Sequence, residues 1–214
     1  MNEILSPNMS QFEENMIKKI LVISLVSLLS RYTMAGILSP SGTLKMDNQE
    51  IQLQKVGEGL RAKKVAFMTF DVYNAKLWAN NKSLIEGKGE MAILAIEKLE
   101  QIAIEMAFLR DVEGEKIVKA FEESLTANAI ELKGPAKEFM TAMTKTGEIK
   151  KGQTIVVIGK KAKDGSEVIT LENSQGSLTN ISGPKGFIIQ IFSLWLGKTN
   201  DDNLAKLKKS LLNN

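Results

Sequence analysis

Hydrophobic positions change character twice along this 214-residue chain. From Ile20 to Leu29 the residues are aliphatic with only serines between them, preceded by Lys18 and Lys19 and followed by Arg31 and the small residues around Ala35 and Gly36. Basic flank, short apolar run and small-residue exit make the pattern of an export signal. A spanning helix needs about twenty apolar residues, roughly twice this run, so a permanent anchor is disfavoured. The pattern predicts a signal peptide over residues 1–35, with Met16 as an alternative start and cleavage after Ala35. Residues 36–214 would then form one domain in the periplasm or secreted, with no permanent membrane anchor after cleavage. No cysteine follows the apolar run, so a lipid anchor of the lipoprotein kind is excluded.

Beyond a polar lead-in the pattern becomes that of alternating and β-branched residues. Strands are predicted at 51–56, 65–78, 91–96 and 101–108, with Gly57-Glu58-Gly59 as a break after the first. Asp111 occupies an N-cap position, and Ile117, Phe121 and Leu125 recur every fourth residue, predicting an amphipathic helix of about sixteen residues. Gly134-Pro135 opens a second helix carrying Phe139 and Met143. The unbroken apolar run at 154–158 predicts a central strand. Asp164-Gly165 turns the chain into a strand at 167–171, and another follows near 177–181. Ser182-Gly183-Pro184 starts a helix that is apolar on nearly every side from Phe187 to Leu196. A closing helix over 201–212 shows one stripe of Leu204, Leu207 and Leu211. Strands, then helices, then strands, then helices is an α+β order, with one antiparallel sheet covered by helices on one face.

Composition narrows the chemistry. The chain has no cysteine and no histidine. Thiolate nucleophiles, disulfides, Ser-His-Asp triads and histidine-ligated metals are therefore excluded, and proton transfer near neutral pH would fall to Lys, Tyr, Asp, Glu or water. No metal and no cofactor is expected. The net charge of +3 stays with residues 36–214, since residues 1–35 hold three basic and three acidic side chains. Those charges alternate in sign and gather only into pairs such as Lys63-Lys64 and Lys150-Lys151, which argues against a nucleic-acid partner. Gly57-Glu58-Gly59-Leu60-Arg61-Ala62 matches the letters of a dinucleotide fingerprint, but no helix follows to hold a pyrophosphate. Those glycines fit a bulge or a close backbone approach better.

Arginine is scarce: beyond residue 35 only Arg61 and Arg110 stand among many lysines, and Tyr73 is the only tyrosine there. A planar guanidinium suits either a carboxylate or enolate clamp or a buried hydrogen-bond hub, and both readings stay open for Arg61.

Gly57-Glu58-Gly59-Leu60-Arg61, then Asp71-Val72-Tyr73-Asn74-Ala75-Lys76-Leu77-Trp78, then Phe108-Leu109-Arg110-Asp111-Val112 before a helix, and finally Ile191-Phe192-Ser193-Leu194-Trp195-Leu196-Gly197, resemble the chalcone isomerase-like family, in particular its exported bacterial members. The resemblance runs across most of the chain after residue 35. It implies an open-faced β-sandwich, an antiparallel sheet flanked by helices, with a ligand cleft between the two. In plant chalcone isomerases an arginine and a threonine act on the substrate, and in fatty-acid-binding relatives an arginine and a tyrosine hold the carboxylate. Arg61 matches the arginine, and Tyr73, twelve residues on, matches the fatty-acid-binding version. Thr69 is the rival, because a tight turn at Lys63-Lys64 would bring it opposite Arg61. The isomerases also use a tyrosine and an asparagine near the strand-to-helix junction, where this chain reads Asp111-Val112-Glu113-Gly114-Glu115-Lys116 and offers neither. The expectation is thus a protein binding a small apolar acid, fatty or aromatic, through Arg61 and Tyr73. The alternatives are an intramolecular lyase of the isomerase type, with Arg61 and Tyr73 as its catalytic residues, and a scaffold with a vestigial cleft.

Overall fold

A computed structural model describes residues 36–199 and 201–213. The signal peptide expected over residues 1–35 lies outside the described residues, and Gly36–Asn214 forms one compact unit. Six antiparallel strands make the main sheet in sequence order: β3 (Gln54–Val65), β4 (Met68–Ala79), β5 (Gln101–Phe108), β6 (Thr154–Lys161), β7 (Glu167–Glu172) and β8 (Leu178–Gly183). A smaller hairpin of β1 (Thr43–Met46) and β2 (Gln49–Gln52) precedes them.

Alternation along the strands decides which face the helices cover. In β5, Ile102, Ile104, Met106 and Phe108 point one way and Ala103, Glu105 and Ala107 the other. The large side chains align with Tyr73, Ala75 and Leu77 of β4 and with Ile155 and Val157 of β6, and all belong to the principal core. Four helices complete that core: α2 (Gly114–Ala127) with Ile117, Phe121 and Leu125; α3 (Gly134–Lys145) with Phe139 and Met143; α4 (Phe187–Leu196); and α5 (Asp202–Leu211) with Leu204, Leu207 and Leu211. Helix α4 is the central one, and its Trp195 meets Phe121 edge to face at 5.3 Å. Among the described residues, no helix is long and apolar enough to cross a membrane.

The α+β order and the antiparallel sheet are as expected, but several elements differ. The polar lead-in is not bare: the β1–β2 hairpin lies on the sheet's second face, where Leu38, Leu44 and Leu53 pack against Trp78, Ala103, Val156 and Ile158. The sheet therefore has helices on one side and a partial cover on the other. Residues 91–96 are not a strand but a helical segment with α1 (Ala92–Ala95) at its centre, because only Ala92 and Ile96, four apart, are buried while Met91 and Leu94 face solvent. Asp111 caps no helix. Its carboxylate accepts from the Lys151 amide and the Lys150 ammonium, and α2 begins three residues later.

The glycines at 57 and 59 do not end a strand. They lie inside β3, with a register shift between Lys55 and Gly57, and they seat the last helix. A Cβ on Gly57 would stand 2.4 Å from the Ser210 carbonyl oxygen, and one on Gly59 would stand 2.6 Å from Ser210 Cβ. Backbone can meet backbone there only without side chains. Helix α5 is held further along by Lys208, whose buried ammonium donates to the Gly197 carbonyl and to Glu90.

Candidate functional site

Arg61 and Tyr73 are directly paired across β3 and β4, on the helix-covered face. Thr69 is not with them: it pairs with Lys64 and is exposed, three rungs nearer the hairpin tip. The turn falls at Ala66-Phe67 rather than Lys63-Lys64, which lengthens both strands and moves Thr69 away from Arg61. A second register shift, between Arg61 and Ala62, aims the guanidinium at the start of α5.

There it meets Asp201. Arg61 Nη1 and Nη2 donate to the two oxygens of the Asp201 carboxylate at 3.0 and 2.5 Å, a parallel two-point pair, and Nη1 also donates to the Ala62 carbonyl at 2.6 Å. The arginine is 9% exposed. Asp201 is also the N-cap of α5, accepting from the Leu204 amide at 2.8 Å, so one carboxylate caps a helix and pins it to the sheet. Burial alone would raise the Asp201 carboxyl, but Arg61 and the Leu204 amide hold it below its ordinary value. Lys63 adds a more distant cation at 3.9 Å.

Tyr73 is also engaged. Its hydroxyl accepts from Trp195 Nε1 at 3.2 Å, and its ring lies 5.5 Å from that of Phe108. Burial pushes its hydroxyl up from 10.0, against the opposing pull of the Arg61 charge, so the phenol stays neutral and keeps its proton. Arg61, Tyr73 and Trp195, all buried, and the half-buried Asp201 thus gather where β3, β4, α4 and α5 meet. Trp195 and Asp201 were not singled out from sequence. Asp201 stands 140 residues from Arg61, and neither residue type marks a partner at that distance.

Arg110 lies elsewhere, with its guanidinium 4.7 Å from the centre of the Phe70 ring, a cation–π contact near the hairpin tip. Two open grooves lie away from this group. One, of about 640 Å³, runs between α3 and the β7–β8 edge past Lys137, Thr141 and Asn180. The other, of about 550 Å³, lies beside the β1–β2 turn at Asp47 and Lys160. Neither includes Arg61 or Tyr73. Among the described residues no group of acidic side chains could hold a metal ion.

No curated protein matches the chain in sequence. Among solved structures, it is similar to a fatty-acid binding protein of Arabidopsis thaliana, with a TM-score of 0.51 and 15% identity over 83% of this chain and 95% of that one. At that identity the likeness shows a shared fold, an open antiparallel sheet with helices packed on it. The model of the family described as chalcone isomerase-like matches residues 32–213, from just before the described domain to its last turn. The chain belongs to the chalcone isomerase-like family.

Proposed function

We propose that this is an exported protein that binds a small apolar monocarboxylate between the sheet and the C-terminal helices, with Arg61 taking the carboxylate and Tyr73 donating a hydrogen bond. The observation that supports this reading is that the Arg61 guanidinium already holds a carboxylate at two points, beside a protonated phenol and beneath apolar helices. A fork that fits Asp201 fits any carboxylate of the same geometry. Phe108, Phe121, Trp195 and Leu204 belong to the packed core that holds Tyr73, and an acyl or aromatic tail would have to part them to enter. The fold shared with a plant fatty-acid binding protein agrees with this reading.

Binding carries a cost, because the ligand must displace Asp201 from the arginine. Asp201→Asn is the informative variant: asparagine still caps a helix well but gives up the charge. Titration calorimetry with a medium-chain fatty acid should then show tighter binding than in the parent, and Arg61→Lys should weaken it. Equal, negligible binding by all three proteins would reject the reading.

A second reading has its own observation. Arg61 and Tyr73 are both satisfied internally, by Asp201 and Trp195, as expected of a scaffold whose ancestral cleft has closed. A large loss of stability in Arg61→Ala, with no acid bound by any variant, supports that reading.

A further inference from the structure

Glu172, at the end of β7, is 8% exposed, yet among the described residues no cation faces its carboxylate. Among the described residues its one hydrogen-bond donor is the Ile37 amide, which reaches both oxygens, at 3.2 Å to Oε1 and 3.1 Å to Oε2. A buried carboxylate with one backbone donor and no counter-ion is costly. Burial pushes its carboxyl up, and only the Ile37 amide opposes that.

The residue before that donor is Gly36, the first of the compact unit. A Cβ built on Gly36 would lie 3.1 Å from Glu172 Oε2 and 3.2 Å from Oε1. In the uncut chain the Gly36 nitrogen is an amide to Ala35 and carries no charge to offer Glu172. Once the Ala35–Gly36 bond is cut, one rotation about the glycine Cα–C bond carries the freed nitrogen to that Cβ position, since N–Cα at about 1.46 Å is close to the length of a Cα–Cβ bond. A side chain at residue 36 would compete for the space, and glycine leaves it open. Export signals are cut after small residues, and Thr33 and Ala35 stand on the leader side of this bond.

We infer that cleavage after Ala35 creates the missing cation: the α-ammonium of Gly36 pairs with Glu172 and locks the new N-terminus onto β7. The inference rests on the export proposed above. Water is consumed at the Ala35–Gly36 amide, the leader leaves with a new carboxylate, and the amine released on Gly36 takes up a proton. The mature chain therefore carries an ion pair that the precursor cannot form.

The test uses protein exported to the periplasm of an expression host. Intact mass should place its first residue at Gly36. A different first residue would overturn both the cut and the pair. The α-amine is then acylated at neutral pH with a limiting anhydride, and modification of Gly36 is followed by peptide mass. Pairing with a buried carboxylate raises the amine's pKa, and each unit lowers the reactive fraction tenfold. Acylation should be at least tenfold slower in the parent than in Glu172→Gln. Should that variant fail to fold, native and urea-unfolded parent give the same comparison, because Gly36 is exposed and burial alone would not shield it. A Gly36 amine as reactive in the folded parent as in the variant or the unfolded chain would overturn the pair while leaving the cut intact.

Discussion

Replacing Arg61 with alanine removes three hydrogen bonds in one step, two to Asp201 and one to the Ala62 carbonyl. Breaking a buried ion pair by deleting one partner costs about 3 to 5 kcal/mol, because the other charge is left unpaired. Asp201 is not fully buried: its side chain is 27% exposed, it keeps the Leu204 amide, and Lys63 stands 3.9 Å away. Water and lysine therefore recover part of the loss, and the lower end applies, about 3 kcal/mol. In a domain of this size each kcal/mol lowers the melting temperature by about 2 to 4 °C, so Arg61→Ala should melt about 6 to 12 °C below the parent. Arg61→Lys keeps the charge but not the two-point fork, and should recover less than half of the difference. The assay is thermal unfolding followed by circular dichroism at neutral pH without ligand. A melting temperature within 1 °C of the parent would refute the reasoning, since it would mean that the guanidinium does not fasten α5 to the sheet.

Gly57→Ala should cost about 3 kcal/mol in urea unfolding, because the new methyl meets the carbonyl oxygens of Ser210 and Leu211 at 2.4 and 2.6 Å, while Gly59→Ala should cost less, since its nearest contact is the Ser210 side chain. Tyr73→Phe leaves the buried Trp195 N–H without an acceptor and should lose about 1 to 3 kcal/mol by the same measurement. Asp201 has a folded pKa below its ordinary 3.8, so its contribution is complete above that value and fades as pH falls through the lower folded value; the parent should lose more stability than Asp201→Asn on acidification below about pH 4. Conversion of chalcones to flavanones should stay at the spontaneous rate, because residues 111–116 supply neither the tyrosine nor the asparagine of the isomerases; a clear rate abolished in Arg61→Ala would restore the lyase reading.

The elements with an unambiguous period could be read from sequence. Gln101–Phe108 and Thr154–Lys161 are strands, and α2, α3, α4 and α5 lie where leucine, phenylalanine and methionine recur. Local pattern fails where burial is sparse. Met91 to Ile96 is apolar enough for a strand, but only two of its six residues are fully buried, four apart, at helical spacing. The lead-in reads as polar because its buried Leu38 and Leu44 are widely separated, and the surface they cover belongs to distant strands. At the site, register was the obstacle: a turn two residues earlier would have exchanged Tyr73 for Thr69, and no side chain near Lys63 marks where the turn falls. The partners were harder still, since Asp201 reads only as a helix cap and Trp195 only as part of an apolar helix.

Four of the contacts that complete this domain join residues more than a hundred positions apart: Ile37 with Glu172, Tyr73 with Trp195, Arg61 with Asp201 and Glu90 with Lys208. In each, one member lies among the last 43 residues of the chain. A chain emerging from the ribosome can pair β3 with β4 early, but it has nothing to lay over their apolar face until α4 and α5 arrive. Contacts this distant make folding slow as well as late, because long loops must close before any contact rewards them. If the protein is exported as proposed above, contacts that close so late would suit it, because a polypeptide passes through a translocation pore before it has folded.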